Sequence, residues 1–196
     1  MNSNRKTAIF VGILFLVATV TFMIGSMLIQ SYFTSEYPSK MQLVAGALLE
    51  IFCGLAVVAI GVLMFPILKK YNKSLAFSYV ILRIIEFAAI IFSGVYLLHF
   101  LKILQNYDLM IYIFTGIGGL IFSYLLYQSK LIPKCLSVLG LVGYFLLLMG
   151  VLLDILSCIN INTGAGMLLY LPGGLFELLL PIWLFVKGFN TPIITS

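Results

Sequence analysis

The chain has 196 residues, of which 63% are hydrophobic and only 9% are charged, with a net charge of +5. Soluble proteins carry about a quarter charged residues, so a water-facing surface built from this sequence would expose large contiguous apolar patches. A soluble fold, disorder, a coiled coil and collagen are therefore excluded, and the composition predicts a small polytopic membrane protein in a lipid bilayer.

Six windows with few or no charges are long enough to cross a hydrocarbon core about 30 Å thick, which takes about 20 helical residues. They predict an all-α fold, a single domain over residues 1–196 in which six transmembrane helices form a compact bundle. The connections are too short for a soluble domain, so any function is expected within the membrane or at its edge. The predicted spans cover about residues 7–30, 41–65, 74–101, 109–129, 135–158 and 164–186.

The first span follows the segment MNSNRK, which is similar to the basic start of a signal peptide. Its apolar stretch is longer than the core of a signal peptide, which has about 7 to 15 residues. No A-x-A-like cleavage site follows it. We therefore expect this span to be retained in the protein.

The carboxyl groups of the second, fifth and sixth spans lie on faces of small residues, because spacings of three, four and seven residues keep one face of a helix. Membrane helices approach each other through such faces, so these carboxyls are predicted to point into the bundle. The faces consist of Gly46, Glu50, Gly54, Val57 and Gly61, then Gly140, Gly143, Leu147, Gly150 and Asp154, and then Gly166, Tyr170, Gly173, Glu177 and Pro181.

The third span contains Arg83, Glu86 and His99. Arg83 and Glu86 are three residues apart, which is close enough for an ion pair, and Tyr79 shares their face. His99 lies near the end of the third span, and Asp154 lies near the end of the fifth on the same side of the membrane. These two side chains could hydrogen-bond across the bundle as a secondary polar pair.

The sixth span is interrupted by Pro172, Gly173 and Gly174, and Pro181 follows four residues after Glu177. Each proline leaves a backbone carbonyl without its helical donor. A broken helix beside a carboxylate is typical of transporter binding sites near the middle of the membrane. Proline kinks also occur in membrane helices that have no such site.

Lys and Arg residues fall mainly on one side of the six spans, and cytoplasmic loops retain such residues. Only Lys40 and Lys102 lie on the other side, while Arg83 lies inside a span. Both termini are therefore predicted to be cytoplasmic, in a cell membrane. The positive charge then reflects topology and contacts with anionic headgroups, so no nucleic-acid partner is expected. The residues on the predicted cytoplasmic side are Arg5, Lys6, Lys69, Lys70, Lys73, Lys130, Lys134 and Lys187.

Four charged residues, Arg83, Glu86, Glu177 and Glu50, can occupy one layer near the middle of the membrane. A buried Arg or Asp costs about 2.5 to 3.5 kcal/mol on insertion scales, so such residues need a partner or a function. Because three carboxylates face one guanidinium, we expect Glu50 or Glu177 to be protonated at neutral pH, or to face water or a bound cation. In a purely structural interpretation, Arg83 bridges Glu86 and Glu177 and holds the third and sixth helices together.

The sequence offers no chemistry for catalysis, and we expect a non-enzymatic protein with no metal and no cofactor. A single His excludes paired-His haem ligation within one chain and a multi-His zinc site, and no HExxH motif or phosphate-binding loop occurs. Cys53, Cys135 and Cys158 lie at different depths and form no CxxC motif. They are interpreted as small apolar residues rather than as redox groups.

Motifs in three parts of the chain resemble those of the bacterial domain of unknown function 4386 family, over nearly the whole sequence. Family members generally have Trp after the loop Lys or Arg, where this chain has Cys135. The resemblance implies a bacterial integral membrane protein and assigns it no activity. The motifs are Tyr79-x-x-x-Arg83-x-x-Glu86, then LYQSKLIPK at 126–134 with Leu136-Ser137 and Gly140, and finally Phe176-Glu177, Trp183-Leu184 and VKGF at 186–189.

Two functions remain open from the sequence. In the first, a polar pocket near mid-membrane carries or senses a small solute, ion or proton through Arg83, Glu86, Glu177, Glu50 and Tyr79. Arg83 would attract an anionic group or keep Glu86 ionised, and Glu177 would be the carboxyl that switches. In the second, the protein is a structural or accessory subunit that binds a partner membrane protein, and its buried charges hold its own helices together.

Overall fold

The computed structural model describes residues 3–104 and 106–190, which form six long α-helices and one short 3-10 helix. Each of the six spans is long and apolar enough to cross a membrane, the sixth when the 3-10 helix is included. The predicted all-α fold is thus confirmed, with six helical segments long and apolar enough to be the predicted spans. The helices are α1 Ser3–Thr34, α2 Lys40–Leu68, α3 Lys73–Phe100, α4 Tyr107–Ser129, α5 Lys134–Ile155 and α6 Leu171–Val186, and the 3-10 helix is Gly164–Tyr170.

Local sequence explains several helix ends. The side chain of Asn72 accepts the backbone N–H of Leu75 at 3.0 Å, which satisfies one of the free donors at the start of α3. Helix α4 ends where Lys130 adopts a left-handed conformation with φ of 54°. Pro133 then precedes α5, and the residue before a proline is disfavoured in a helix.

The six helices form a closed ring in chain order. Each helix packs against the next one in the chain, and α1 packs against α6. Arg5 in α1 donates a hydrogen bond to the carbonyl oxygen of Phe185 in α6 at 2.6 Å. The start of α1 and the end of α6 therefore lie at the same end of the bundle, called here the terminal end. The opposite end is called the distal end.

The terminal half of the ring is filled by a continuous apolar core. The rings of Phe15, Tyr79 and Phe122 lie on the distal side of this core and are called here the aromatic floor. The centroids of Tyr79 and Phe122 are 5.0 Å apart, and those of Phe15 and Phe122 are 5.8 Å apart. Core side chains that have almost no exposure include Ala8, Val11, Met64, Leu68, Ala76, Leu125, Leu126, Ile132 and Leu184.

The interruption of the sixth span differs from the predicted one. The 3-10 helix ends at Tyr170 and α6 begins at Leu171, so Pro172 lies in the first turn of α6. The missing N–H of a proline is not needed there, because the first N–H groups of a helix have no partner within the helix. Pro172, Gly173 and Gly174 therefore start α6 instead of breaking it. Pro181 lies inside α6, as expected, and is buried.

Candidate functional site

A cavity of about 500 Å³ lies inside the ring, between the aromatic floor and the distal end. Side chains from all six helices line it, and most of them are apolar. Its volume is within the range of small-molecule sites, about 300 to 1,000 Å³. Among the residues described, its charged lining residues are Arg83, Glu86 and Glu177. We call it the central cavity.

Arg83 joins α3 to α4 on one wall of the central cavity. Its Nη1 lies 3.0 Å from Oε2 of Glu86, and its Nη2 donates to the carbonyl oxygens of Phe114 at 2.8 Å and Thr115 at 3.4 Å. The guanidinium fits closely against Gly118, where a Cβ would lie 2.7 Å from Arg83 Cζ. Arg83 is only 6% exposed, and these contacts replace much of its hydration, while its buried Nε has no hydrogen-bond partner among the described residues.

The Glu86 carboxylate has partners on both α3 and α4. Besides the ion pair, its Oε1 accepts a hydrogen bond from the Thr115 hydroxyl at 2.6 Å. The guanidinium of Arg83 also lies over the ring of Tyr79, with Cζ 5.4 Å from its centroid. Arg83 and Glu86 thus neutralise each other's charge, and each also forms a hydrogen bond with α4.

The expected bridge from Arg83 to Glu177 is not formed. The ion pair between Arg83 and Glu86 that their spacing predicted is present within α3. The hydrogen bonds of these two side chains to Phe114 and Thr115 then fasten α3 to α4 instead of α3 to α6. The reason is the order of the ring, in which α3 and α6 make no contact within the part of the chain that the structure describes. The structural interpretation thus applies to Arg83 and Glu86 but not to Glu177.

Glu177 projects from α6 into the central cavity with hydroxyl groups as its partners. Tyr144 of α5 donates to Oε1 at 2.9 Å, and Thr19 of α1 donates to Oε2 at 3.5 Å. The side chain is partly exposed and forms no ion pair among the described residues. Two hydroxyls orient the carboxyl, so Glu177 is the one acidic or basic side chain of this cavity without an ion-pair partner among the described residues.

Glu50 does not line the central cavity, so the predicted pocket contains Arg83, Glu86 and Glu177 but not Glu50. Its carboxyl accepts hydrogen bonds from Tyr107 at 3.0 Å and from Ser26 at 3.3 Å. It lines a separate cavity of about 50 Å³, together with Asp108. Tyr107 is the first residue of α4, which draws the Glu50 carboxyl towards the distal end.

His99 and Asp154, expected as a secondary polar pair, are not brought together. His99 is exposed, and its ring lies edge-on to Phe100 with centroids 4.7 Å apart. Asp154 instead accepts the backbone N–H of Ile161 at 2.6 Å and so stabilises the loop that follows α5. Both residues lie at the distal end, but α3 and α5 are not neighbours in the ring.

The hydroxyl partners of the carboxyls were not predicted from the sequence. Thr19 and Ser26 are seven residues apart on α1, which places them on one helical face, and each reaches a carboxyl. Tyr144 follows Gly143 and lies four residues after Gly140, so it borders the small-residue face of α5. Polar residues at these spacings in otherwise apolar spans were the available signal.

A family model described as Domain of unknown function (DUF4386) matches residues 10–188. No curated protein and no solved structure matches the chain. The chain therefore belongs to the domain of unknown function 4386 family, and the resemblance of its motifs to that family is confirmed.

Proposed function

We propose that this member of the domain of unknown function 4386 family is a non-enzymatic membrane protein that binds a small solute in the central cavity, in order to carry or sense it. The observation that supports the proposal is the contrast between the charges. Arg83 and Glu86 neutralise each other, whereas Glu177 faces the cavity with only the hydroxyls of Tyr144 and Thr19.

The solute is a molecule with an apolar body and one positively charged group. The lining is mostly apolar, and its charges leave one carboxyl, Glu177, in excess. A bound cation would pair with this carboxyl where little water competes, and charge-assisted hydrogen bonds are among the strongest in proteins. The apolar walls would hold the rest of the molecule, as in most small-molecule sites.

A comparison of two substitutions, Glu177→Gln and Glu50→Gln, tests this proposal. Glu177 and Glu50 each accept hydrogen bonds from one Tyr and from one hydroxyl of α1, but only Glu177 lines the central cavity. Glu177→Gln is expected to weaken binding of radiolabelled tetraphenylphosphonium by about tenfold or more, because a charge-assisted contact is worth about 1.5 to 3 kcal/mol. Glu50→Gln is expected to bind like the wild type. Equilibrium dialysis of the protein in lipid nanodiscs measures both.

Tetraphenylborate, which has the same shape and the opposite charge, serves as the control for hydrophobic partitioning. It is expected to show no difference between the wild type and Glu177→Gln. The proposed function is wrong if the wild type does not bind the phosphonium in a saturable way, or if Glu177→Gln binds it as tightly as Glu50→Gln does.

For orientation, we propose that the terminal end faces the cytoplasm of a cell membrane, because the Lys-rich loops lie there. Two native thiols test this. Cys135 follows Lys134 at the terminal end, Cys158 follows α5 at the distal end, and both are exposed. A membrane-impermeant maleimide applied to intact cells is expected to label Cys158, and to label Cys135 only after permeabilisation. Labelling of Cys135 but not Cys158 on intact cells would show the reverse orientation, and Cys158→Ser identifies the labelled site.

A further inference from the structure

The central cavity is covered towards both ends of the bundle. On the terminal side, the aromatic floor and the apolar core beneath it close the way. On the distal side, the rings of Tyr112 and Tyr170 are in contact, with centroids 5.4 Å apart. Both hydroxyls also reach Oδ1 of Asn162, whose Nδ2 donates to Asp108 at 3.3 Å. These four residues form a polar cover over the cavity.

The side wall between α1 and α6 is loosely packed in its distal half. Near the terminal end the two helices are in close contact, since a Cβ at Gly12 would lie 2.8 Å from the ring of Phe185. Towards the distal end, α1 makes no contact with the 3-10 helix that precedes α6 among the described residues. We call the line of contact between α1 and the sixth span the seam. Its packing is tight near the terminal end and loose towards the distal end.

Residues along this seam both line the central cavity and face outwards. Met23 of α1 is 59% exposed and Met167 of the 3-10 helix is 51% exposed, yet both line the cavity. Gly174 of α6 also lines it, and a Cβ added there would meet nothing within 4 Å. We call Met23, Met167 and Gly174 the side portal.

The side portal lies next to Glu177 and on the lipid-facing side of the ring. Met23 is four residues beyond Thr19, and Gly174 is three residues before Glu177, so these two portal residues lie about 5 to 6 Å towards the distal end from the carboxyl. Met167 lies farther towards the distal end, in the 3-10 helix. In a protein whose six helices span the bilayer, the outer side of this seam contacts acyl chains. The portal residues themselves are two methionines and a glycine, which offer no charged group to a hydrated ion.

Building on the proposed function, we infer that the solute is a single-chain cationic amphiphile that enters from the lipid through the side portal. Its cationic head lies at Glu177, and its alkyl chain extends through the portal into the bilayer. A hydrophilic cation would lose its water in the apolar portal with no polar group to replace it, whereas an alkyl chain stays in an apolar environment throughout.

Competition against tetraphenylphosphonium in nanodiscs tests the inference. Dodecyltrimethylammonium, below its micellar concentration, is expected to displace the phosphonium at about a hundredfold lower concentration than tetramethylammonium, which has the same head and no chain. Gly174→Trp places a large side chain in the portal and is expected to slow association of both the phosphonium and the amphiphile by about tenfold. Leu175→Trp is the matched control, because Leu175 is exposed on α6 and does not line the cavity.

A second pair of variants on α1 keeps the test valid should Gly174→Trp not fold. Met23→Trp is expected to slow association as well, and Ile24→Trp, at a neighbouring exposed position that does not line the cavity, is its control. The inference is overturned if tetramethylammonium competes as well as the amphiphile, or if the portal variants associate as fast as their controls. In those cases a difference between Glu177→Gln and Glu50→Gln would still support the proposed function, whereas no saturable binding by the wild type overturns both.

Discussion

Replacement of Arg83 by Met is expected to lower the free energy of unfolding by about 3 to 5 kcal/mol, since removal of one partner leaves an uncompensated buried charge. Methionine retains much of the apolar bulk of the side chain but removes the ion pair with Glu86 and both hydrogen bonds to the α4 carbonyls. The buried Glu86 would keep only its hydrogen bond from Thr115. SDS titration of the purified protein in mixed micelles measures the change.

The double variant Arg83→Met/Glu86→Gln separates the pair from other effects of the substitution. Because the second change removes the charge that the first leaves unpaired, the double variant is expected to be about 1 to 3 kcal/mol more stable than the sum of the single effects indicates. Strict additivity, or an Arg83→Met protein as stable as the wild type, would contradict the conclusion that Arg83 and Glu86 stabilise each other in the bundle.

A second large loss in the free energy of unfolding is expected for a substitution at the contact between α5 and α6, where the two backbones touch. A Cβ at Gly143 would lie 2.6 Å from Cα of Gly173 and 2.7 Å from the carbonyl carbon of Pro172. These are backbone atoms that cannot rotate away, so Gly143→Ala must push the helices apart. We expect a loss of about 1 to 3 kcal/mol in the free energy of unfolding, as for other overpacked positions.

The opposite side of the same contact provides the matched control. A Cβ at Gly173 would lie no closer than 3.7 Å to Gly143, which is an ordinary van der Waals distance. Gly173→Ala is therefore expected to change stability by less than about 0.5 kcal/mol, apart from the small gain of replacing a helical glycine. Equal losses in the two variants would show that the helices do not meet in this asymmetric way.

The number of helices long enough to span a membrane, and the limits of some of them, could be predicted from the sequence because they depend on local properties. A run of apolar residues bounded by Lys or Pro defines a membrane helix by itself, and the bounds of α3 and α4 agree with those predicted to within two residues. The pairing of Arg83 with Glu86 is equally local, since a spacing of three residues on one helix brings the side chains together.

The partners of these residues on other helices could not be predicted, because they depend on the order of the helices around the ring. Nothing in the spacing of Arg83 indicates that it meets α4 rather than α6, or that Tyr107 draws Glu50 out of the central cavity. The same reason explains the separation of His99 from Asp154. Small-residue faces identify which side of a helix is buried, but not which helix covers it.

The position of a bound heavy-atom cation tests the central claim most directly. Tetraphenylarsonium has the shape and charge of the phosphonium probe, and its arsenic can be located by anomalous scattering in crystals of the complex. We expect one arsenic peak inside the central cavity next to Glu177, and no such peak in Glu177→Gln. Peaks only on the outer surface of the bundle, or a cavity peak that persists in Glu177→Gln, would contradict the assignment of Glu177 as the group that binds the solute.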